Sequence, residues 1–154
     1  MTRHDPLDPA VEQRLRSSFA LQGLMNHLGA EIAEIAAGQV ILRLPFRPEV
    51  TQHHGYFHAG ATSAVADTAG GFAAYTLFAD ESSVLTVEFK LNLLNPGQGD
   101  YLEAVGRVVK PGRTLTVCQL DVWGVSADRR VHVATGVQTL IRAKPHGQGA
   151  AAAS

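Results

Sequence analysis

Cysteine occurs once, at Cys118, so no internal disulfide and no cysteine-rich zinc site can form. A marked excess of either charge is missing as well. Thirteen basic residues stand against 14 acidic ones, and a net charge of −1 leaves no basic field for nucleic acid or an anionic membrane. Charged residues make up 18% of the chain and apolar residues 45%, a globular composition with few charges to spare. There is no GxSxG, which excludes a serine nucleophile elbow, and no P-loop or dinucleotide fingerprint. Long hydrophobic runs are lacking too. Residues 59–79 approach the length of a membrane span, but they are mostly Ala, Gly, Thr and Ser. They also hold Asp67 near the centre, where a charge is costly. The charged, proline-punctuated start "MTRHDPLDPAVEQRLRSS" does not read as a secretory signal. A cytoplasmic chain without membrane or nucleic-acid partners is therefore expected.

At 154 residues the chain suits one domain with a real core. Asp8-Pro9 reads as an N-cap followed by proline at the first helical position. Val11, Leu15, Phe19, Leu24, Met25 and Leu28 then recur as one helix that Gly29 ends. "AEIAEIAAGQVILRLPF" predicts a hairpin about Gly38, and "RPEVTQHHGYFHAG" predicts a loop. A second helix is expected from Ala59 to about Phe78. In "SSVLTVEFKLNLLNP", Leu85, Val87, Phe89, Leu91 and Leu93 alternate with Thr86, Glu88, Lys90 and Asn92, predicting a strand with the two sets on opposite faces. "YLEAVGRVVK", "RTLTVCQLDVWGV" and "RRVHVATGVQTLIRA" predict three more strands joined by short turns, hence an antiparallel sheet. The fold class is α+β. A helix without a polar face must be covered nearly all round, and a curling sheet does this. The expected division is an N-terminal helical segment at 1–29, the main domain at 30–143 and a frayed tail at 144–154.

Within "HHGYFHAGATSAVADTAGG" the chemistry concentrates on Asp67. Its helical neighbours Ser63, Ala64, Gly70 and Gly71 are all small. Two mid-helix glycines cost roughly 1 kcal/mol each against alanine, so close approach by a backbone or a ligand is expected at that face. Two readings stand side by side: a packed helix with Asp67 bonded to a neighbouring element, or a catalytic carboxylate facing a ligand. Either demands hydrogen-bond partners. At the helix start, the N–H groups of Ala59 and Gly60 lie at the positive end of the dipole and could hold the oxygen of a polarised carbonyl. Ala59 and Asp67 are separated by about 12 Å of helix rise. One carbonyl can meet both only if two copies of the chain contribute, which predicts a site at a homodimer interface. His53, His54 and His58 lack a completing cysteine or nearby acid and have no i, i+4 spacing, so no metal site is expected. His58 is expected to pack at the helix entry, and His132 to lie at the surface or the core edge. Lys110 to Thr114, "KPGRT", reads as a solvated hairpin end or a phosphate contact.

"HAGATSAVADTAGG", "LTVEFKLNLLNPGQGD" and "VVKPGRTLTVCQLDVWG" resemble the hotdog-fold acyl-CoA thioesterases, in particular the phenylacetate-pathway (PaaI-type) and 4-hydroxybenzoyl-CoA thioesterase branch. The resemblance covers roughly residues 30 to 142. It implies a long helix wrapped by an antiparallel sheet and hydrolysis of an acyl-CoA or aryl-CoA at a site shared between subunits. Asp67 becomes the catalytic carboxylate. His58-Ala59-Gly60 stands where the family reads His-Gly-Gly, so Ala59 supplies the oxyanion amide, with Gly60 as a second donor, provided the position needs no positive φ. Gln52 matches an Asn or Gln that positions water or the carbonyl, and Thr86 a Ser or Thr near the carboxylate. Gly71 falls where one branch holds substrate with a threonine. Lys110, Gly112 and Arg113 occupy the turn that meets the CoA nucleotide, while Phe57, with Tyr56 and Phe72, is a candidate for the acyl pocket. No cofactor is implied, because CoA is part of the substrate. A homo-oligomer is implied, at least a dimer and, as the family also forms, a tetramer. Asp67 acts as general base or as nucleophile. A non-catalytic acyl-CoA binding module and a hotdog hydratase or dehydratase are the alternative readings.

Overall fold

The computed structural model describes residues 7–79 and 82–144; of the tail expected to fray, only Lys144 falls within them. The N-terminal segment forms two helices where one was expected, α1 (Pro9–Ala20) and α2 (Gly23–Leu28). Asp8 caps α1 through a 2.8 Å bond from the Ala10 N–H, with Pro9 in the first turn. Leu21 and Gln22 then donate to carbonyls three residues back, closing α1. Phe19 and Met25 are both buried yet lie six residues apart, a spacing that one straight helix does not carry on a single face. The break lets both reach the core and leaves Leu24 exposed. Gly29 ends α2 in the left-handed region at φ 75°.

Strands β1 (Glu31–Ala36) and β2 (Gln39–Pro45) form the hairpin about Gly38. Helix α3 (Ala59–Tyr75) follows, then β3 (Ser83–Leu93), β4 (Tyr101–Lys110), β5 (Leu115–Ser126) and β6 (Arg129–Ala143). All neighbours in the single sheet are antiparallel, in the order β1-β2-β4-β5-β6-β3. The inner face wraps α3. Val65, Ala66, Ala69 and Ala73 pack in one core with Leu42, Leu102, Ala104, Leu120 and Val122, all nearly or fully inaccessible. The helix stops at Tyr75, short of the expected Phe78. The Thr76 hydroxyl turns back to the Ala73 carbonyl at 2.7 Å and accepts the Gly38 N–H at 2.7 Å, tying the helix end to the first hairpin.

Small residues allow α3 to approach the sheet closely. A Cβ at Gly106 on β4 would overlap the Ala69 carbonyl and the Gly70 nitrogen, so helix and strand meet backbone to backbone there. The predicted simple alternation of β3 is interrupted. A bulge between Thr86 and Glu88 turns Thr86 to the inner face, with Leu140, Phe89 and Gln138, and leaves Leu85 on the outer face with Glu88 and Lys90. Thr86 thus points at the helix and shares a face with Phe89, which the alternation had set opposite it. On the outer face, His132 is half-buried, bonded to Asp121 at 2.8 Å and stacked on Trp123.

Gly106→Ala forces α3 off β4 and is expected to cost about 1–3 kcal/mol through overpacking. The denaturant midpoint reads the change; a midpoint equal to wild type would contradict the contact.

Candidate active site

Asp67 projects from the middle of α3 and is partly exposed, while both of its sequence neighbours are buried. Its Oδ1 accepts from the Thr86 hydroxyl at 2.7 Å and from Gln138 Nε2 at 2.6 Å. Gln138 Nε2 also lies 3.0 Å from the Asp67 carbonyl oxygen and 3.1 Å from Thr86 Oγ1, so one amide ties helix, β3 and β6 together. Among the described residues Oδ2 has no hydrogen-bond partner. Asp67 lines a cavity of about 190 Å³ with Gly71, Phe72, Tyr75 and Thr86, closed on one side by Ser18 of α1 and by Gln22, which caps α2.

The two glycines beside Asp67 do different work. Gly70 makes room for protein: a methyl there would overlap the Gln138 amide and press on Leu120. At Gly71 the nearest atoms are 3.9 and 4.0 Å from such a methyl, and the residue faces the cavity. The opening expected from the sequence is therefore present at Gly71 only. Beneath Gly70, Cys118 Sγ lies 3.5 Å from its carbonyl oxygen, and burial pushes the thiol up to about 12.

The start of α3 builds a second feature. His58 is the N-cap, in extended backbone, and its Nδ1 accepts the Gly60 N–H at 2.8 Å. This removes Gly60 from the expected pair of oxyanion donors, because its N–H is already used. The N–H groups of Ala59 and Ala61 have no partner among the described residues. Among the described residues only glycines have positive φ, so alanine at position 59 is conformationally at ease. Ala59 lines a separate, open cavity of about 400 Å³ with Gln52, Tyr56 and Phe57 on one side and Leu93 and Leu94 on the other. Gln52 Oε1 accepts the His54 N–H, which fixes the loop and leaves the side-chain NH₂ to donate. Phe57 is buried against Phe46 and contributes more to the core than to the opening.

Ala59 and Gln52 are thus brought together, and so are Asp67, Thr86 and Gly71, but the two groups line different cavities. His53 and His54 are exposed with rings 3.9 Å apart, and no group of three potential metal ligands gathers among the described residues. In the β4–β5 turn, Arg113 lines an open cleft with Arg142 and Lys144; Lys110 and Gly112 do not. Gly112 is needed by the turn itself, where a side chain would strike the Leu115 carbonyl. Gln138 was missed by sequence reasoning. Its signal was a polar residue at an inner-facing strand position, two residues from both Gly136 and Leu140.

One apolar helix wrapped by a single antiparallel sheet, with a free amide at its start and a donor-held acid on its flank, defines the hotdog class of folds. The profile of the thioesterase superfamily matches residues 54–127. A Halobacterium salinarum protein carrying a provisional esterase name is 30% identical over 127 residues, 79% of this chain and 82% of its own. A thioesterase family protein from Silicibacter pomeroyi, solved by crystallography, superposes with a TM-score of 0.84 at 42% identity, covering 87% of this chain and 98% of that one. The PaaI protein of the Escherichia coli phenylacetic acid degradation operon shares the fold at a TM-score of 0.80 and 19% identity, over 90% and 97% of the two chains. The chain belongs to the thioesterase superfamily. Its class of reaction is thioester hydrolysis. Among the described residues no helix is long and apolar enough to cross a membrane.

The buried thiol supplies a test of this packing. Because burial raises the Cys118 pKa from 9.0 to about 12, the group stabilises the fold below pH 9 and loses that contribution as pH rises towards 12. At pH 8 a thiol reagent should find no reactive cysteine in native protein and one per chain in denaturant. Full labelling of native protein would contradict the packing under Gly70.

Proposed function

We propose that the protein hydrolyses acyl-CoA thioesters at sites completed by a second copy of the chain. The observation that carries this reading is the position of the two cavities along β3. The acid cavity opens beside Ser83, Val84 and Thr86, and the amide cavity beside Leu93 and Leu94. β3 is an edge strand of the sheet, and its side chains Leu85, Val87, Phe89 and Leu93 are exposed. A long apolar edge of this kind calls for a partner. Antiparallel pairing of β3 with its copy about a two-fold axis sets the Thr86 end of one chain against the Leu93 end of the other. Each acid cavity then faces an amide cavity, and the helix rise between Ala59 and Asp67 ceases to be an obstacle.

In this arrangement the thioester carbonyl oxygen rests on the Ala59 N–H, at the positive end of α3, with Gln52 beside it. Asp67 of the other copy uses its open Oδ2. It takes a proton from water that attacks the carbonyl carbon, or it attacks that carbon itself and water releases the acyl group afterwards. The C–S bond breaks and its electron pair leaves on the CoA sulfur. A thiolate is a good leaving group, so no strong acid is required. The cleft holding Arg113 and Lys144 offers cations to the phosphates of CoA.

Purified protein offered short, medium, long and aromatic acyl-CoAs should release free thiol from at least one. Asp67→Asn should lower kcat by about 100- to 10,000-fold. Intact thioester across the whole panel would leave only binding, and undiminished turnover by Asp67→Asn would remove the carboxylate from the mechanism. Ala59→Pro deletes the amide with little harm to the helix, since His58 already has the extended backbone (ψ 137°) that precedes proline. Mixed dimers of the two inactive variants should regain one working site out of two. Verified mixed dimers without activity would contradict the shared site.

A further inference from the structure

We infer that Gln138, seated in the space left by Gly70, is a positioning residue that sets which oxygen of Asp67 reacts and holds that carboxylate in place. The inference rests on the proposed role of Asp67. Gln138 is 0% exposed, the only fully inaccessible polar side chain among the described residues. Its placement is costly. Oε1 is buried without a hydrogen-bond partner among the described residues, whereas Nε2 is shared by three acceptors: Asp67 Oδ1, the Asp67 carbonyl oxygen and Thr86 Oγ1. Those acceptors fix the amide orientation, because the flipped amide would set oxygen against both the carboxylate and the carbonyl. A side chain serving only to fill the core would do so at lower cost as leucine or methionine, with no orphaned oxygen.

The arrangement has a chemical consequence. Both donors, Thr86 and Gln138, converge on Oδ1, which saturates that oxygen and leaves Oδ2 for water or the thioester carbon. Rotation of the carboxylate is also resisted, since Nε2 holds the main chain and the side chain of the same residue. Gly70 belongs to the device: any side chain there displaces the amide. Few other titratable groups bear on the site. Among the described residues Tyr75 is the only further one lining the cavity. Arg14 from α1 lies over the Tyr75 ring, Arg142 from β6 lies over the Phe78 ring, and Cys118 from β5 sits behind Gly70. Glu88 of β3 faces outward.

The test measures kcat and KM for Gln138→Met, which keeps volume and removes the donor. The expected result is a kcat lowered roughly 100-fold by misplacement of the carboxylate, with KM little changed. Gly70→Ala should act in the same direction, and Gly70→Ala/Gln138→Met should be no worse than Gln138→Met alone, because both changes disable one device. Folded Gln138→Met with wild-type kcat overturns the inference, as do additive losses in the double variant. If Gln138→Met does not fold, Gln138→Glu carries the test. It sets an acceptor against Oδ1 in place of a donor, so kcat should fall at least as far with KM little changed, and a wild-type kcat overturns the inference equally. Asp67→Asn, measured alongside, separates the two failures. Wild-type activity in that variant sinks the catalytic reading itself, while an inactive Asp67→Asn beside a fully active Gln138→Met sinks only the role of Gln138.

Discussion

The backbone contact between α3 and β4 at Gly106 governs most of what surrounds it. A helix with almost no polar face gains stability only by burial, and burial on nearly all sides requires a sheet that curls close around it. Closeness is obtained by omitting side chains where helix and strand touch, at Gly106 on the strand and Ala69–Gly70 on the helix. Dispersion and apolar burial along Val65, Ala66, Ala69 and Ala73 follow from that approach. So does the room in which the Gln138 amide lies flat against the helix.

The same closeness creates an electrostatic demand at Asp67. A carboxylate on a largely buried helix must find donors or give up its charge. The sheet supplies two, Thr86 from β3 and Gln138 from β6, and both serve one oxygen. At the other end of α3 the demand is reversed, because amides there need acceptors. His58 satisfies the Gly60 N–H and leaves Ala59 open to whatever arrives. One helix thus presents an acceptor on its flank and a donor at its start, too far apart for a single small group. Superfamily membership gives that separation its meaning: thioester hydrolysis needs a polarised carbonyl and an attacking group on the same few atoms.

Much of this was legible in the order of residues. The hairpin about Gly38, the four long strands and the small-residue helix all follow from periodicity and turn chemistry, which are local properties. Asp67 stood out because a charge in an apolar helix is expensive wherever the helix packs. The errors were equally physical. The N-terminal helix was read as continuous because spacing alone does not reveal where two faces must part to reach one core. Thr86 and Phe89 were set on opposite faces because a bulge leaves no mark on an alternating pattern. Gly60 was counted as a free donor because its acceptor, a histidine two residues back, is itself chosen by the geometry of the cap.

What the sequence by itself determined is the α+β class, the apolar helix with its solitary acid and the distance from that acid to the helix start. Each depends on residue type and chain spacing, which do not change with surroundings. Only the tertiary structure decided that Gly70 serves packing while Gly71 faces a cavity, that Thr86 turns inward, and that Gln138 reaches the acid across 71 positions of chain. Those outcomes depend on strand register and on the depth to which the sheet wraps the helix. Both are set by long-range pairing and close packing.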